Sequence, residues 1–231
     1  MTPAAAVTTD LRGPDDLVEL DRWGEWRYEP SRRGKPTKVP YSVQARRAST
    51  TDPSDWGAFS NALDAYRRFP DFYSGLSYCF FKSDGLAGID LDDCLDSDNN
   101  LKSWARGIVE RFADTYMEIS PSGEGVKIWA RGSLPANLGG VKVGDGQIEM
   151  YDHARFFTFT GRTFHDAPLQ IEDHASDLLA LYTGLTAGKK RWQLQPLEGG
   201  RIPYGKQHNT LVSIAGTLRA RRVCDEAIEA C

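Results

Sequence analysis

The chain has 231 residues, 28 Lys and Arg against 32 Asp and Glu, a formal net charge of −4, and 40% hydrophobic and 11% aromatic residues. Such a length buries a sizeable core, such a composition excludes a disordered polymer, and the charge excludes a uniformly basic nucleic-acid coat. The charge is unevenly placed, however: residues 186–231 hold eight basic and four acidic side chains, so +4 there leaves −8 for residues 1–185. Cys79, Cys94, Cys224 and Cys231 form no C-x-x-C pair and have no histidine at zinc-finger spacing. Free or buried thiols in a reducing cytoplasm are therefore expected. The opening MTPAAAVTTDL lacks the charged and apolar regions of a signal peptide, and no stretch reads as a membrane span, so no membrane partner is expected.

In chain order, residues 1–18 are small and polar and read as a flexible N-terminus. DRWGEWRYEP and KPTKVPYSV predict two strands joined by a basic Pro/Gly loop. TDPSDWGAFSNALDAYRRF predicts a capped helix with Phe59, Ala62, Leu63 and Tyr66 on one face. LSYCFFKSDGLAGIDLD reads as a hairpin turning at S-D-G, whose outgoing arm carries Asp90 and Asp92. NNLKSWARGIVERFAD has a clear helical stripe of Leu101, Trp104, Ala105, Ile108, Val109 and Phe112. TYMEISPSGEGVKIWARG predicts strand, turn and strand, GDGQIEMYDHARFFTFTG another strand pair, and DHASDLLALYTGL a helix. The alternation implies an α+β fold, mostly antiparallel sheet flanked by helices. The expected domain spans 19–185, followed by a basic linker at 186–205 and the start of a helical module at 206–231.

Strand alternation sends Asp90 and Asp92 to one face, while Asp93 points away or begins the turn. Two carboxylates held that close repel unless a cation lies between them, and hard oxygen ligands suit Mg²⁺ or Mn²⁺. Glu149, in QIEMY, is the candidate third acid. An acidic strand end leading into a turn would give the same D-L-D-D letters, and D-x-D also occurs in nucleases and sugar-nucleotide transferases. SPSGEGVKIW sets Ser120, Ser122, Gly123 and Gly125 in a tight turn whose N–H groups would cradle phosphate oxygens, with Lys127 as counter-charge. A glycine-requiring hairpin turn beside an exposed lysine fits these residues too. In IEMYDHARFFTFTGR, Glu149 and Tyr151 share a strand face and Arg155 follows, an arrangement suited to a nucleotide and equally to an ordinary amphipathic hairpin.

The order of parts is D-x-D, a helix, S-x-S-G-x-G-x-K, then hydrophobic-E-x-Y leading into R-F-F-T-F-T-G. It resembles the archaeo-eukaryotic primase superfamily, in the primase-polymerase branch of phage, plasmid and prophage replication proteins, over roughly residues 20–185. The resemblance implies a DNA primase-polymerase core that joins nucleoside triphosphates on a single-stranded DNA template with two bound ions, Mg²⁺ or Mn²⁺. Asp90, Asp92 and Glu149 would be the catalytic metal ligands. Ser120, Ser122, Gly123, Gly125, Lys127 and Arg155 would bind nucleotide, Lys127 standing where the family usually has histidine. Lys38, in a lead-in similar to that of the branch, would meet phosphate or template. The C-terminal N-x-x-L-x-x-x-A-x-x-L-R is similar to the helical module that follows such cores, which implies a helicase domain in the same or a partner chain. The charge of the tail adds Lys189, Lys190, Arg191 and Arg219 as DNA contacts. A catalytically idle module that binds single-stranded or origin DNA and a metal-dependent nuclease are the alternatives.

Overall fold

In the computed structural model of the chain, residues 11–31 and 34–190 are described, Gly188–Lys190 as helical backbone only. The chain divides into compact units at 1–186 and 187–231, and the architecture below is that of the first. The elements are α1 (Asp15–Val18), β1 (Trp23–Glu29), β2 (Thr37–Tyr41), α2 (Phe59–Arg68), β3 (Gly75–Phe80), β4 (Leu86–Asp92) and α3 (Ser103–Arg111). They continue with β5 (Met117–Ile119), β6 (Val126–Arg131), β7 (Leu138–Val143), β8 (Gly146–Tyr151), β9 (Arg155–Phe159) and α4 (Ala175–Lys190). Two antiparallel sheets result, ordered β2-β1-β3-β9 and β5-β6-β4-β8-β7. The expected α+β class with mostly antiparallel sheet is what forms.

β4 is the centre of the five-stranded sheet, and its period of two sorts its residues by chemistry. Ala87, Ile89 and Leu91 are fully buried in a core with Ala105, Val109 and Phe112 of the α3 region, Ile128 of β6 and Leu178 of α4. Each large aliphatic buried this way contributes roughly 1.5–3 kcal/mol, so a one-residue slip of β4 would lose several such terms. That locks Gly88, Asp90 and Asp92 onto the opposite face. There Gly88 is overlain by the rings of Phe157 and Phe80 from the other sheet. A second core of Trp23, Tyr78, Phe80, Trp129, Phe157 and Phe159 joins the two sheets edge-to-face.

Five expectations are corrected. β3 and β4 are not a hairpin: β3 ladders to β1 and β9, while β4 ladders to β6 and β8. The S-D-G segment is instead a 3₁₀ turn over Lys82–Asp84, ended by left-handed Gly85, that carries the chain from one sheet to the other. Arg22 fixes this crossover through its bonds to Asp84 at 2.9 Å. β8 and β9 likewise belong to different sheets, and the consecutive strands that do pair are β1–β2, β5–β6 and β7–β8. The predicted helix around residues 51–69 is split. Pro53–Asp55 forms one 3₁₀ turn capped by Asp52, Gly57 bridges Trp23 through paired 2.9 Å bonds, and α2 starts only at Phe59. Finally, the part of the N-terminus from Leu11 to Val18 is packed, with Leu11 and Leu17 buried in the second core. α4 runs through Lys190, past the residue at which a linker was expected.

Candidate active site

Register across the five-stranded sheet builds the site. Lys127 of β6 and Glu149 of β8 both pair with Asp90 of β4, and Glu118 of β5 pairs with Lys127. Directly opposed residues share a sheet face, so Glu118, Lys127, Asp90 and Glu149 form one charged row, with Asp92 two residues further along the same face. A cleft of about 370 Å³ opens over this row. Its lining includes Lys38 of β2, Asp90 and Asp92, Lys127, Glu149 and Tyr151 of β8, and Arg155, Phe157 and Thr158 of β9.

The charges in the cleft are partly matched inside the protein. Lys127 Nζ donates to Asp90 Oδ2 at 2.5 Å and lies 4.4 Å from the centre of the Phe157 ring. Asp90 Oδ1 is buried and has no hydrogen-bond partner. Burial, and then the charge of Asp90, push the Asp92 carboxyl up to about 6. Glu149 is held in place by Tyr151 Oη at 2.8 Å, Gln147 Nε2 at 3.0 Å and the Gly140 N–H at 3.3 Å. That last donor is free because the β7–β8 register slips between Leu138 and Val141. Arg155 stands 3.8 Å from Glu149 and 4.6 Å from the Tyr151 ring centre. Lys38 lies 5.5 Å from the ring of Trp26, and burial, then the charge of Lys127, lower its pKa.

These residues suit a hard divalent cation. The groups present are carboxylate oxygens, one of them is buried without a partner, and the neighbouring acid is pushed upward by burial and then by the first one's charge. Among the described residues, no three acid, imidazole or thiol groups already stand as a closed metal cluster. Asp90 and Asp92 are thus adjacent carboxylates on one sheet face, and Glu149 is their neighbour by register.

Seven of the residues singled out from sequence and strand pattern meet in this cleft: Lys38, Asp90, Asp92, Lys127, Glu149, Tyr151 and Arg155. Ser120, Ser122, Gly123 and Gly125 are not in its lining. Their turn is occupied with itself: Ser120 N donates to Gly125 O at 2.8 Å, Gly123 N to Ser120 O at 3.0 Å, Glu124 N to Ser122 Oγ at 3.3 Å and Gly125 N to Ser120 Oγ at 3.2 Å. The glycines meet steric demands there. Gly123 has φ +83°, and a Cβ on Gly125 would lie 2.7 Å from the Leu91 carbonyl. The side chains of Lys189, Lys190, Arg191 and Arg219, the linker beyond Lys190 and the helical module lie outside the described residues. Cys79 and Cys94 are buried free thiols. Sequence reasoning missed Glu118, Gln147 and Gly140; Thr158, in the threonine row of the R-F-F-T-F-T strand, lines the cleft with a buried hydroxyl that has no partner. The one available signal was an acid inside the otherwise apolar Y-M-E-I strand.

No protein-family model matches the chain. Over 152 residues, 64% of its length, it is 36% identical to a DNA primase-polymerase of Nitratiruptor phage NrS-1. The matched region covers about one fifth (20%) of that relative's length. The similarity is to a phage DNA primase-polymerase, the kind of protein that the motif order also resembles.

Proposed function

We propose that the chain is the catalytic core of a DNA primase-polymerase, a nucleotidyltransferase that joins nucleoside triphosphates on a single-stranded DNA template. The observation that carries this reading is the cleft itself. A carboxylate pair with one unpartnered buried oxygen shares about 370 Å³ with the side chains of Lys38, Lys127 and Arg155. A metal–triphosphate complex supplies the cations the acids lack and the phosphate oxygens the bases lack.

Asp90 and Asp92, with Glu149, would hold Mg²⁺ or Mn²⁺, two ions in all. Such ions would supply Lewis-acid stabilisation of the transferring phosphoryl group and acidify the attacking 3′-hydroxyl. The protein's own contributions are positional. Tyr151, Gln147 and the Gly140 N–H fix the carboxylate of Glu149, so little side-chain freedom is left to lose on binding. Arg155, half exposed beside Glu149, and Lys38, on the other sheet, would pair with phosphate oxygens. Lys127 neutralises Asp90 and keeps a positive charge beside the acids. The basic residues beyond Lys189 would add template affinity, and a helicase domain, in the same or a partner chain, is the companion this reading expects.

The test is incubation with single-stranded template, Mg²⁺ or Mn²⁺ and labelled nucleotides, with and without a primer. Template-dependent products are expected; products without a primer mean priming, and products only with one mean polymerisation. Metal binding with no incorporation would leave an idle DNA-binding module, and breakdown of the template without added nucleotides would indicate a nuclease.

A further inference from the structure

Glu118 is a fully buried acid that the nucleotidyl-transfer reading does not use. It belongs to β5 of the acid-bearing sheet, yet its carboxylate serves the other one. It accepts the Thr160 N–H at 3.1 Å, the Gly161 N–H at 3.0 Å and the Tyr116 hydroxyl at 3.1 Å. Thr160 and Gly161 directly follow β9, and the left-handed φ of +64° at Gly161 lets two successive N–H groups converge on one carboxylate. Neighbouring bonds reinforce the join: Thr160 Oγ1 donates to Ile119 O at 2.8 Å, Ile119 N to Arg162 O at 2.8 Å and Arg162 Nη2 to Ser120 O at 2.7 Å.

β9 needs such an anchor. It is the edge strand of its sheet, laddered only to β3, so its sheet bonds do not set its height above the acid-bearing sheet. The turn from β8 fixes one end and the Glu118 contact fixes the other. Between them lie Arg155, Phe157 and Thr158, which line the cleft opposite Asp90 and Lys127.

We infer that Glu118 is a positioning residue for nucleotide binding, a clamp that joins the end of β9 to the acid-bearing sheet and so sets the width of the cleft. This rests on the nucleotidyl-transfer reading. Glu118→Gln keeps the shape but replaces one oxygen by a donor facing donors. Its nucleotide KM should rise about tenfold or more, as losing charged hydrogen bonds implies, while kcat at saturating nucleotide stays within about twofold of the parent's. Hydrogen exchange at the Thr160 and Gly161 amides should accelerate by at least about tenfold. A purely architectural residue would lower Tm or the folded fraction and leave KM unchanged, and that result would overturn the inference. Should Glu118→Gln not fold, Thr160→Val removes the hydroxyl that donates to Ile119 O and accepts from Arg162 N, and leaves the carboxylate; a KM increase of about threefold is expected, and a parental KM would overturn the clamp. If the parent protein incorporates no nucleotide at all, the functional reading falls, whereas unchanged amide exchange in Glu118→Gln would refute the clamp alone.

Discussion

Asp90 and Asp92 share a strand face, yet removing their charges should shift stability in opposite directions. Repulsion between two carboxylates predicts that either Asn substitution relieves strain. The 2.5 Å bond from Lys127 reverses this for Asp90, because the lysine side chain is only 4% exposed and Asp90→Asn would strand its ammonium. Breaking a buried pair from one side costs about 3–5 kcal/mol, so Asp90→Asn should lower Tm in metal-free buffer. Asp92→Asn should leave Tm unchanged or raise it. Equal Tm changes for the two variants would deny the Lys127–Asp90 pair its weight. For Lys127→Ala, the apparent nucleotide KM should rise more than tenfold if the ammonium also meets phosphate, since a charged hydrogen bond is worth about 1.5–3 kcal/mol. A parental KM would leave Arg155 as the main phosphate contact. Both acids and this lysine were legible in the sequence because D-x-D and G-x-G-x-K are local patterns. The lysine's partner was not, because Asp90 and Lys127 are 37 positions apart and meet only through β4–β6 register.

At the scale of elements, a glycine decides how closely the sheets approach. A Cβ on Gly88 would lie 2.3 Å from the ring of Phe157 and 2.7 Å from that of Phe80. Gly88→Ala must therefore push β9 away from β4, at a cost of roughly 1–3 kcal/mol for overpacking, and should weaken nucleotide binding as the cleft distorts. Gly107, within α3, has open space at its Cβ position. Gly107→Ala should stabilise by about 0.5–1 kcal/mol through helix propensity alone. Thermal melts of the two variants check the contrast, and a neutral Gly88→Ala would mean that the rings do not fix the spacing. Most strands and helices were readable, since β4, α3 and β6 carry strong periodicities. Their sheet membership was not: a strand, a short turn and a strand read as a hairpin in both LSYCFFKSDGLAGIDLD and QIEMYDHARFFTF. The sequence alone carried no sign that Arg22 and Asp84 would tie the first of these turns into a crossover.

Over the whole molecule, stability should fall as pH rises from 5 to 8, because the buried acid Glu25 is held protonated. Burial pushes Glu25 up to about 8, and both of its carboxylate oxygens lack a partner. Burial also pushes Glu118 up to about 7, but the Thr160 and Gly161 N–H groups and the Tyr116 hydroxyl favour its ionised form. A carboxyl raised above its ordinary value of 4.5 favours the folded state below that value, and the benefit is lost as pH climbs toward the folded pKa. For Glu25 the window runs from about 4.5 to about 8, and each unit corresponds to about 1.4 kcal/mol. Tm should therefore decline from pH 5 to pH 8, and Glu25→Gln should flatten that decline and exceed the parent's Tm at the alkaline end. An unchanged slope would mean that Glu25 ionises freely in the folded protein. This buried acid could not be recognised in the sequence, where W-G-E-W reads as an alternating strand with a solvated glutamate. The motif order and the overall α+β class were legible, because each motif sits within one element or one turn. The measurement that tests the central claim most directly is template-dependent nucleotide incorporation by Asp92→Asn beside the parent, with Tm recorded on the same samples. The account predicts a Tm at or above the parent's and incorporation reduced by at least about a hundredfold, as loss of a metal-binding carboxylate implies. Incorporation near the parental rate by a folded Asp92→Asn protein would contradict it.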